Sequence, residues 1–268
     1  MLILGILLPL LAIRLPRLAP PSLPATYSNP TGSVLTPVRP DVYLAERPFY
    51  PRIPGLRSTD VGCKMAVVKL KSGGLWLHSP VEYSPELAAA LTSIGPITHI
   101  VTPNTEHQKY APEWISKIPE AASYCCPSLQ GGVWEYVIGV DENGVYSDKI
   151  PPKWPSEIEF VYVDAESLPI INRPFFNEVI FFHSGSKTLF VTDLWWNYSD
   201  GAPILWKLAM DRVYRPVYNR ILADRPLLEK RMDKVFSWGS TYIAPCHGEP
   251  IEGDDVNNLL GKHLGVTV

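Results

Sequence analysis

The sequence has few cysteines, and their spacing is not typical of a disulfide or zinc scaffold. The 268 residues include only Cys63, Cys125, Cys126 and Cys246, and no two of them form a Cys-x-x-Cys pair. Four cysteines are too few to stabilise a secreted domain by disulfide bonds, so we expect the fold to depend on a hydrophobic core. We expect the thiols themselves to be buried, packing as small apolar side chains.

Positive charge is not in excess either. The formal net charge at pH 7 is −3. A protein whose main partner is nucleic acid or an anionic membrane needs a surplus of Lys and Arg to neutralise phosphates. The composition therefore predicts no nucleic-acid partner and favours a pocket for a small-molecule substrate or ligand.

The apolar stretch at residues 1–13 is too short to cross a bilayer, because a transmembrane helix needs about 20 apolar residues. Pro9 interrupts the stretch, and Arg14 and Arg17 follow it, whereas the basic residues of a signal peptide precede its apolar region. An intracellular location is favoured. The alternatives are an N-terminal signal or anchor, with membrane contact through residues 1–20.

Several common catalytic motifs are absent. The sequence contains no Gly-x-Ser-x-Gly elbow, no Walker loop and no Gly-x-Gly-x-x-Gly, which argues against a serine hydrolase, a P-loop protein and a dinucleotide-binding protein. Cysteine catalysis by Cys246 beside His247 is disfavoured as well, because adjacent side chains on a strand diverge.

Proline is abundant near the N-terminus. Ten prolines lie between Pro16 and Pro54, a density that disfavours both helices and central strands. We therefore predict an apolar leader and an extended Pro-rich arm over residues 1–42, followed by one domain over residues 43–268.

Within this domain, predicted strands alternate with predicted helices, which indicates an α/β fold with parallel strand pairing. The strands are predicted over Met65–Leu70, Leu75–His78, Ile97–Thr102, Ala121–Cys126, Glu157–Val163, Glu178–His183, Lys187–Thr192 and Tyr242–Ala244. The helices are predicted over Leu87–Ile94 with a cap at Ser84, Ala111–Ile118, Pro203–Ala223 with a kink at Pro216, Arg225–Trp238 with a cap at Asp224, and Asp254–Leu264.

Polar residues that can bind a metal follow three of the predicted strands. His107, Asp193 and His247 each come shortly after a strand end, where α/β folds present their sites. Two imidazoles and a carboxylate suit one zinc or other divalent ion. Asn104 and Glu106 are weaker candidate ligands, and a two-metal centre would need ligands beyond these.

The order of these segments resembles that of the metallo-β-lactamase superfamily. The run Lys187–Asp193 resembles the family's hairpin strand that ends in a metal-bridging Asp, and Ile243–Gly248 resembles its final His-Gly segment. The resemblance implies an αββα sandwich with a metal site at one edge, and it implies that His107, Asp193 and His247 are the metal-binding and catalytic residues.

The chain also departs from that family, so its metal motifs are degenerate. The pattern Pro-Asn-x-x-His at residues 103–107 replaces His-x-His-x-Asp-His, and near residues 171–176, where the family's middle His is expected, Asn172 is the residue that could substitute. Residues 77–80, Leu-His-Ser-Pro, stand where the family has an Asp. These departures resemble an uncharacterised branch, the domain-of-unknown-function family DUF4336.

Two functions follow from these residues. The first is a metal-dependent hydrolase of a small ester, thioester or lactone-like substrate, with an eroded site that binds at most one metal ion. The alternative is a catalytically inactive domain of the same fold that binds a ligand or a partner.

Each candidate residue also has a structural interpretation. His107 can cap the helix at Ala111, Asp193 can hold a turn, and His247-Gly248 can form a turn with a hydrogen-bonded imidazole. We predict structural roles for His99 and His183 and an exposed His263. The aromatic residues after Asp193 pack in the core or, alternatively, wall a pocket; they are Trp195, Trp196, Trp206 and Tyr214.

Overall fold

The computed structural model describes residues 33–49, 62–170, 173–198 and 204–268. The predictions for residues 1–13, for Asn172 and for Pro203 lie outside these ranges. Within the described ranges, no helix has the length and apolar character needed to cross a membrane.

The first sheet has seven strands that lie side by side in chain order. The strands are β1 (Thr36–Arg39), β2 (Val42–Arg47), β3 (Cys63–Lys69), β4 (Leu75–His78), β5 (Ile97–Thr102), β6 (Ala122–Cys125) and β7 (Tyr136–Val137). Strands β1 to β4 pair antiparallel, and β4 to β7 pair parallel. The parallel half confirms the pairing predicted from the strand–helix alternation.

Strand β1 lies inside the segment that the proline density predicted to be an arm. Thr36 pairs with Leu44 and Pro37 with Tyr43, so residues 36–39 belong to the sheet. This is possible because β1 is an edge strand, where a proline without an N–H removes no hydrogen bond from the sheet interior.

The second sheet has five strands in the spatial order β14, β13, β12, β11, β8. The strands are β8 (Ile158–Tyr162), β11 (Val179–His183), β12 (Thr188–Val191), β13 (Tyr242–Pro245) and β14 (Ile251–Glu252). Strands β12 and β13 run parallel, and the other pairs are antiparallel. A separate two-stranded ladder joins β9 (Ser167–Leu168) and β10 (Arg173–Pro174).

Helices cover the outer faces of both sheets. They are α1 (Pro85–Ile94), α2 (Ala111–Lys117), α3 (Ile204–Ala209), α4 (Arg215–Val217), α5 (Arg225–Ser237) and α6 (Val256–Leu264). The Oγ of Ser84 accepts a hydrogen bond from the N–H of Leu87, and Asp224 accepts one from Leu227, so both predicted N-caps are confirmed.

The segment predicted as one α-helix over Pro203–Ala223 with a kink is instead a mixture of α- and π-helical stretches. In its described part, α3 and α4 alternate with two π-helical stretches, Met210–Tyr214 and Tyr218–Leu222. Pro216 lies in α4 between them. Because proline has no N–H to donate to the preceding turn, the helix around it departs from regular α geometry.

Three apolar layers hold the elements together. Between the sheets, Trp76 packs against Phe181 and Phe190, with ring centroids 5.3 and 5.5 Å apart. Leu91 of α1 packs in the layer on the outer face of the first sheet, and Met232 of α5 in the layer on the outer face of the second. The arrangement is the predicted αββα sandwich, and each fully buried side chain of this size contributes about 1.5–3 kcal/mol to its stability.

The prediction that His263 is exposed is wrong. Its ring is buried in the last turn of α6 and packs edge-on against Trp196, with centroids 4.4 Å apart. Burial lowers the pKa of His263 to about 3, so the ring is neutral. Trp195 and Tyr214 are buried beside it in the same apolar layer, which confirms the core interpretation for Trp195, Trp196 and Tyr214. Trp206 is half-buried.

The structural roles predicted for His99 and His183 agree with the contacts of both rings. Nδ1 of His183 lies 2.8 Å from the Oγ of Ser186 in the β11–β12 hairpin. Nε2 of His99 lies 2.9 Å from the carbonyl oxygen of Lys153. Both imidazoles therefore tie neighbouring segments together.

Candidate metal centre

The predicted ligands His107, Asp193 and His247 converge at one edge of the sandwich. Nε2 of His107 lies 3.3 Å from Oδ2 of Asp193, and Nε2 of His247 lies 3.5 Å from Oδ1 of the same carboxylate. One ligand atom of each residue lies within 4.8 Å of the other two. Of the His, Cys, Asp and Glu residues in the described ranges, these three form the group that can hold a metal ion.

Sheet geometry explains why residues so distant in sequence meet. Strands β12 and β13 are parallel neighbours, and the N–H of Cys246 donates to the carbonyl of Val191 just beyond the ladder. The N–H of Val179 donates to the carbonyl of Pro103 and thereby ties the end of β5 to the second sheet. The segments after β5, β12 and β13 therefore share one edge.

Hydrogen bonds fix the orientation of both imidazoles. Nδ1 of His247 lies 2.7 Å from the carbonyl oxygen of Gly62. Because a carbonyl can only accept, Nδ1 carries the proton, and Nε2 faces Asp193. Nδ1 of His107 lies 2.7 Å from the Oγ of Ser79, so its Nε2 also faces the cluster. Outer partners of this kind typically hold histidine ligands in metal sites.

Ser79 adopts a backbone conformation that is rare for a residue with a side chain. Its φ is +55°, in the left-handed region, and its N–H donates to the carbonyl of Val101. Such a conformation costs on the order of 1–3 kcal/mol and persists where the surrounding structure enforces it. Here it places the Ser79 hydroxyl against His107.

Asn104, a weaker ligand candidate, is engaged in hydrogen bonds on both sides of its amide. Its Nδ2 donates to Oδ2 of Asp193 and to the Oγ of Thr192, both at 2.9 Å. Its Oδ1 accepts from the N–H groups of Glu106 and His107, both at 3.0 Å. Asn104 thus links the segment that carries His107 to the segment that carries Asp193.

Glu106, the other weaker candidate, is exposed and lies outside the group of three. Its main-chain N–H contributes to the cluster through Asn104, whereas its carboxylate is not among the converging ligand atoms. Most of the first metal shell of a two-metal site is therefore missing from the described residues around His107.

Sequence reasoning missed the role of Glu178. This fully buried carboxylate accepts from the N–H groups of Thr192, Asp193 and Leu194, and from the amide of Asn104. Burial raises its pKa, and the charge of Asp193 raises it further. The available signal was an acidic residue at the head of the apolar run Val179–His183, because a charge in such a place requires several partners.

The charges at the cluster favour an ion pair. Burial alone would lower the pKa of His107, but the Asp193 carboxylate and the Cys246 sulfur beside it raise the pKa well above the ordinary value. Burial would likewise raise the pKa of Asp193, and the two histidines hold it well below its ordinary value. Without a metal, His107 is therefore an imidazolium paired with Asp193.

Two cysteines, Cys63 and Cys246, lie next to the cluster. The backbone N–H of Lys64 donates to the carbonyl of Cys246, which brings Cys63 beside Cys246. Burial raises the pKa of Cys63 to about 11, so the thiol is neutral at ordinary pH. All four cysteines are free, and Cys125, Cys126 and Cys246 are buried as predicted, whereas Cys63 is half-buried.

This donor set fits a divalent metal ion. Two imidazole nitrogens and a carboxylate oxygen make up a common three-ligand catalytic zinc shell, which leaves a further position for water or substrate. The side chains of Asp193 and His247 expose 16% and 17% of their surface, whereas that of His107 exposes 7%. An ion can therefore approach from the Asp193–His247 side.

Comparison with known proteins gives a family match. Residues 50–231, more than half of the chain, match the family described as a domain of unknown function, DUF4336. The match ends before His247. No curated protein matches the chain.

Solved structures share the fold. A metallo-beta-lactamase from Pontibacter korlensis is 14% identical, with a TM-score of 0.56 over 87% of this chain and 97% of that chain. The metallo-beta-lactamase FIM-1 from Pseudomonas aeruginosa, in its mono-zinc form, is 12% identical, with a TM-score of 0.55 over 86% and 94%. The metal-soaked flavodiiron core of Flv1 from Synechocystis sp. PCC6803 is 11% identical, with a TM-score of 0.57 over 86% and 60%. These similarities show a metallo-β-lactamase fold.

Proposed function

This chain belongs to the DUF4336 family and has a metallo-β-lactamase fold, and from that starting point we propose that it is a hydrolase dependent on a single divalent metal ion. His107, Asp193 and His247 hold the ion, and zinc suits this mixture of imidazole and carboxylate. The substrate is a small ester or thioester.

The observation that supports this proposal best is the orientation of the three side chains. Two ring nitrogens and one carboxylate face each other within 4.8 Å, while the far nitrogen of each ring is hydrogen-bonded to Ser79 or Gly62. A purely structural ion pair needs one histidine. The second histidine, His247, is oriented by a backbone carbonyl, as histidine ligands of metal ions typically are.

The chemistry comes from the ion and the surrounding residues together. A divalent ion supplies Lewis acidity, which lowers the pKa of water and polarises a carbonyl. Asn104 holds Oδ2 of Asp193, which keeps Oδ1 turned toward His247. Glu178 fixes the backbone of the same loop, so the carboxylate is pre-positioned and loses little freedom when it binds.

A single ion is consistent with the residues and with one structural neighbour. Asn104 and Glu106 add no converging ligand atom, so a second ion has no protein shell among the described residues. The FIM-1 structure is described as a mono-zinc form, which supports the idea that this fold accommodates one ion.

Metal content tests the first half of the proposal. We expect full-length protein, purified without chelator, to contain close to one zinc, iron or manganese ion per chain by elemental analysis. Asp193→Ala and His247→Ala should lose that ion. His99→Gln is the matched control, because it changes a histidine outside the cluster and should keep the metal. Absence of stoichiometric metal from the wild-type protein would end the proposal.

Activity tests the second half. We expect slow hydrolysis of small chromogenic esters and thioesters by the metal-loaded protein, loss of the activity in chelator, and recovery on adding the metal found by elemental analysis. Hydrolysis that survives both chelation and Asp193→Ala would come from another site and contradict the proposal.

One observation supports a second candidate, an inactive ligand-binding domain. His107 and Asp193 already satisfy each other as an ion pair, so the cluster is stable without an ion. This candidate predicts that Asp193→Ala lowers the free energy of unfolding and leaves metal content unchanged at zero.

A further inference from the structure

The helical segment over residues 204–222 has an unusual outer face. Its inner face is buried in the apolar layer on the second sheet through Tyr214, Tyr218 and Leu222. Its outer face exposes large apolar side chains, which are Ile204 (73% exposed), Leu205 (71%), Leu208 (47%), Val213 (53%) and Ile221 (58%). We call these five residues the apolar outer face.

The backbone that carries this face is not a regular α-helix. The first π-helical stretch, Met210–Tyr214, begins two residues after Leu208 and contains Val213. Exposed apolar residues that cluster on one element usually mark an interaction site, whereas single ones need no explanation.

The same segment is strongly basic. It contains the cations Lys207, Arg212, Arg215 and Arg220 and a single acid, Asp211, although the whole chain carries a net charge of −3. Arg212 and Arg220 are exposed. The carboxylate of Asp211 already has two partners. Its Oδ1 lies 3.7 Å from Nη1 of Arg215 and accepts a hydrogen bond from the hydroxyl of Tyr198. The outer face is therefore both apolar and positive.

We propose that the apolar outer face, with Arg212 and Arg220, docks this protein on an anionic phospholipid surface. Helices that lie at a membrane surface insert apolar side chains at the boundary between headgroups and acyl chains. Their cationic side chains contact the lipid phosphates. The proposal is independent of the proposed hydrolase activity.

Charge decides between a membrane and a second copy of the chain. In a two-fold symmetric dimer the same face meets itself, which would bring Arg212 and Arg220 of both copies together. That contact would combine apolar burial with like-charge repulsion, whereas an anionic bilayer complements both properties. The net charge of −3 argues against an anionic membrane partner when the whole chain is considered. It does not reveal the local concentration of basic residues in the segment 204–222.

Vesicle co-sedimentation of the full-length protein tests the proposal. We expect binding to vesicles of phosphatidylcholine mixed with phosphatidylglycerol, little binding to phosphatidylcholine alone, and weaker binding at high salt. Arg212→Gln/Arg220→Gln should lower the partition coefficient on the order of 30-fold, because each cation contributes about fivefold near such a surface. Leu208→Asn/Val213→Asn should weaken binding as well.

Matched controls change residues of the same type elsewhere on the surface. Lys149→Gln/Lys230→Gln removes two exposed cations, and Val145→Asn/Ile150→Asn removes two apolar side chains that are 61% and 60% exposed. Both controls should bind vesicles like the wild type. All four variants change exposed side chains, so their melting temperatures should match that of the wild type.

Three results would overturn the proposal. The first is equal binding by the control variants and by the variants of the apolar outer face and of Arg212 and Arg220. That result would place any membrane contact elsewhere, such as at residues 1–20. The second is no binding to anionic vesicles. The third is a concentration-dependent dimer, seen by light scattering, that Leu208→Asn/Val213→Asn abolishes.

Discussion

The amide of Asn104 donates a hydrogen bond of 2.9 Å to Oδ2 of Asp193, although the two residues are 89 positions apart in the chain. The same amide lies 3.3 Å from Glu178. One neutral side chain therefore separates two carboxylates, of Asp193 and Glu178, and connects both halves of the sandwich at the candidate metal centre.

Asn104→Asp should destabilise the protein by about 3 kcal/mol, because it replaces a donor with a charge beside two carboxylates and leaves buried acceptors unpaired. Urea unfolding measures the change. Asn143→Asp, in an exposed loop, is the matched control and should shift the unfolding free energy by less than about 0.5 kcal/mol. A small effect at Asn104 would mean that the amide does not separate the charges.

Metal affinity should rise with pH. The Asp193 and Cys246 side chains hold the pKa of His107 well above its ordinary value, so near neutral pH the ion must displace a proton from this ring. Each metal ion bound then releases about one proton, and the apparent affinity increases about tenfold per pH unit until the pH passes that pKa. Calorimetric titrations in buffers of different ionisation enthalpy count the proton. A pH-independent affinity would show that His107 is not a ligand.

Glu166 should make stability depend on pH in the opposite sense to an ordinary carboxylate. It is buried beneath the 204–222 helical segment, where the hydroxyl of Tyr218 and the N–H of Phe176 donate to it. Burial raises its pKa to about 7 from the ordinary 4.5. Between these values the folded state keeps a proton that the unfolded chain has lost, so the contribution is complete below about pH 4.5 and is lost as pH rises through about 7.

The variant Glu166→Gln isolates the contribution of Glu166, because Glu178 also has a raised pKa and remains in both proteins. The difference in unfolding free energy between wild type and variant should change steadily from pH 4.5 to 7 and level off above. A difference that stays constant over this range would show that Glu166 titrates normally.

Gly248 follows the candidate ligand His247 and has no room for a side chain. Its φ is +78°, and a Cβ there would lie 1.8 Å from the carbonyl oxygen of Asn197. Gly248→Ala must move one of two backbones, so we expect a loss of several kcal/mol in unfolding free energy and a loss of bound metal. Gly144→Ala is the control: its φ of +75° is similar but nothing lies within 4 Å, and it should cost about 1 kcal/mol.

The sequence by itself determined most of the core elements and the three candidate ligands. Alternation and end signals placed β4 and β5 at their observed bounds and the other predicted strands within one or two residues of theirs, because local periodicity and caps dictate where a strand or helix begins and ends. No strand is predicted over β2 (Val42–Arg47), although Val42 and Leu44 are buried in the core. The rule that polar residues after parallel strands share an edge predicts that His107, Asp193 and His247 lie together.

Tertiary structure alone decided what surrounds these residues. Neither the hydrogen bonds of Asn104 and Glu178 nor the edge-on packing of His263 against Trp196 follows from local pattern, because each depends on contacts between segments dozens of residues apart. The same holds for strand β1: Pro37 disfavours a strand locally, and the edge of the sheet accepts it. The charge of His107 and the burial of His263 are set by side chains that pack against them from other segments. The local sequence around each histidine does not contain these partners.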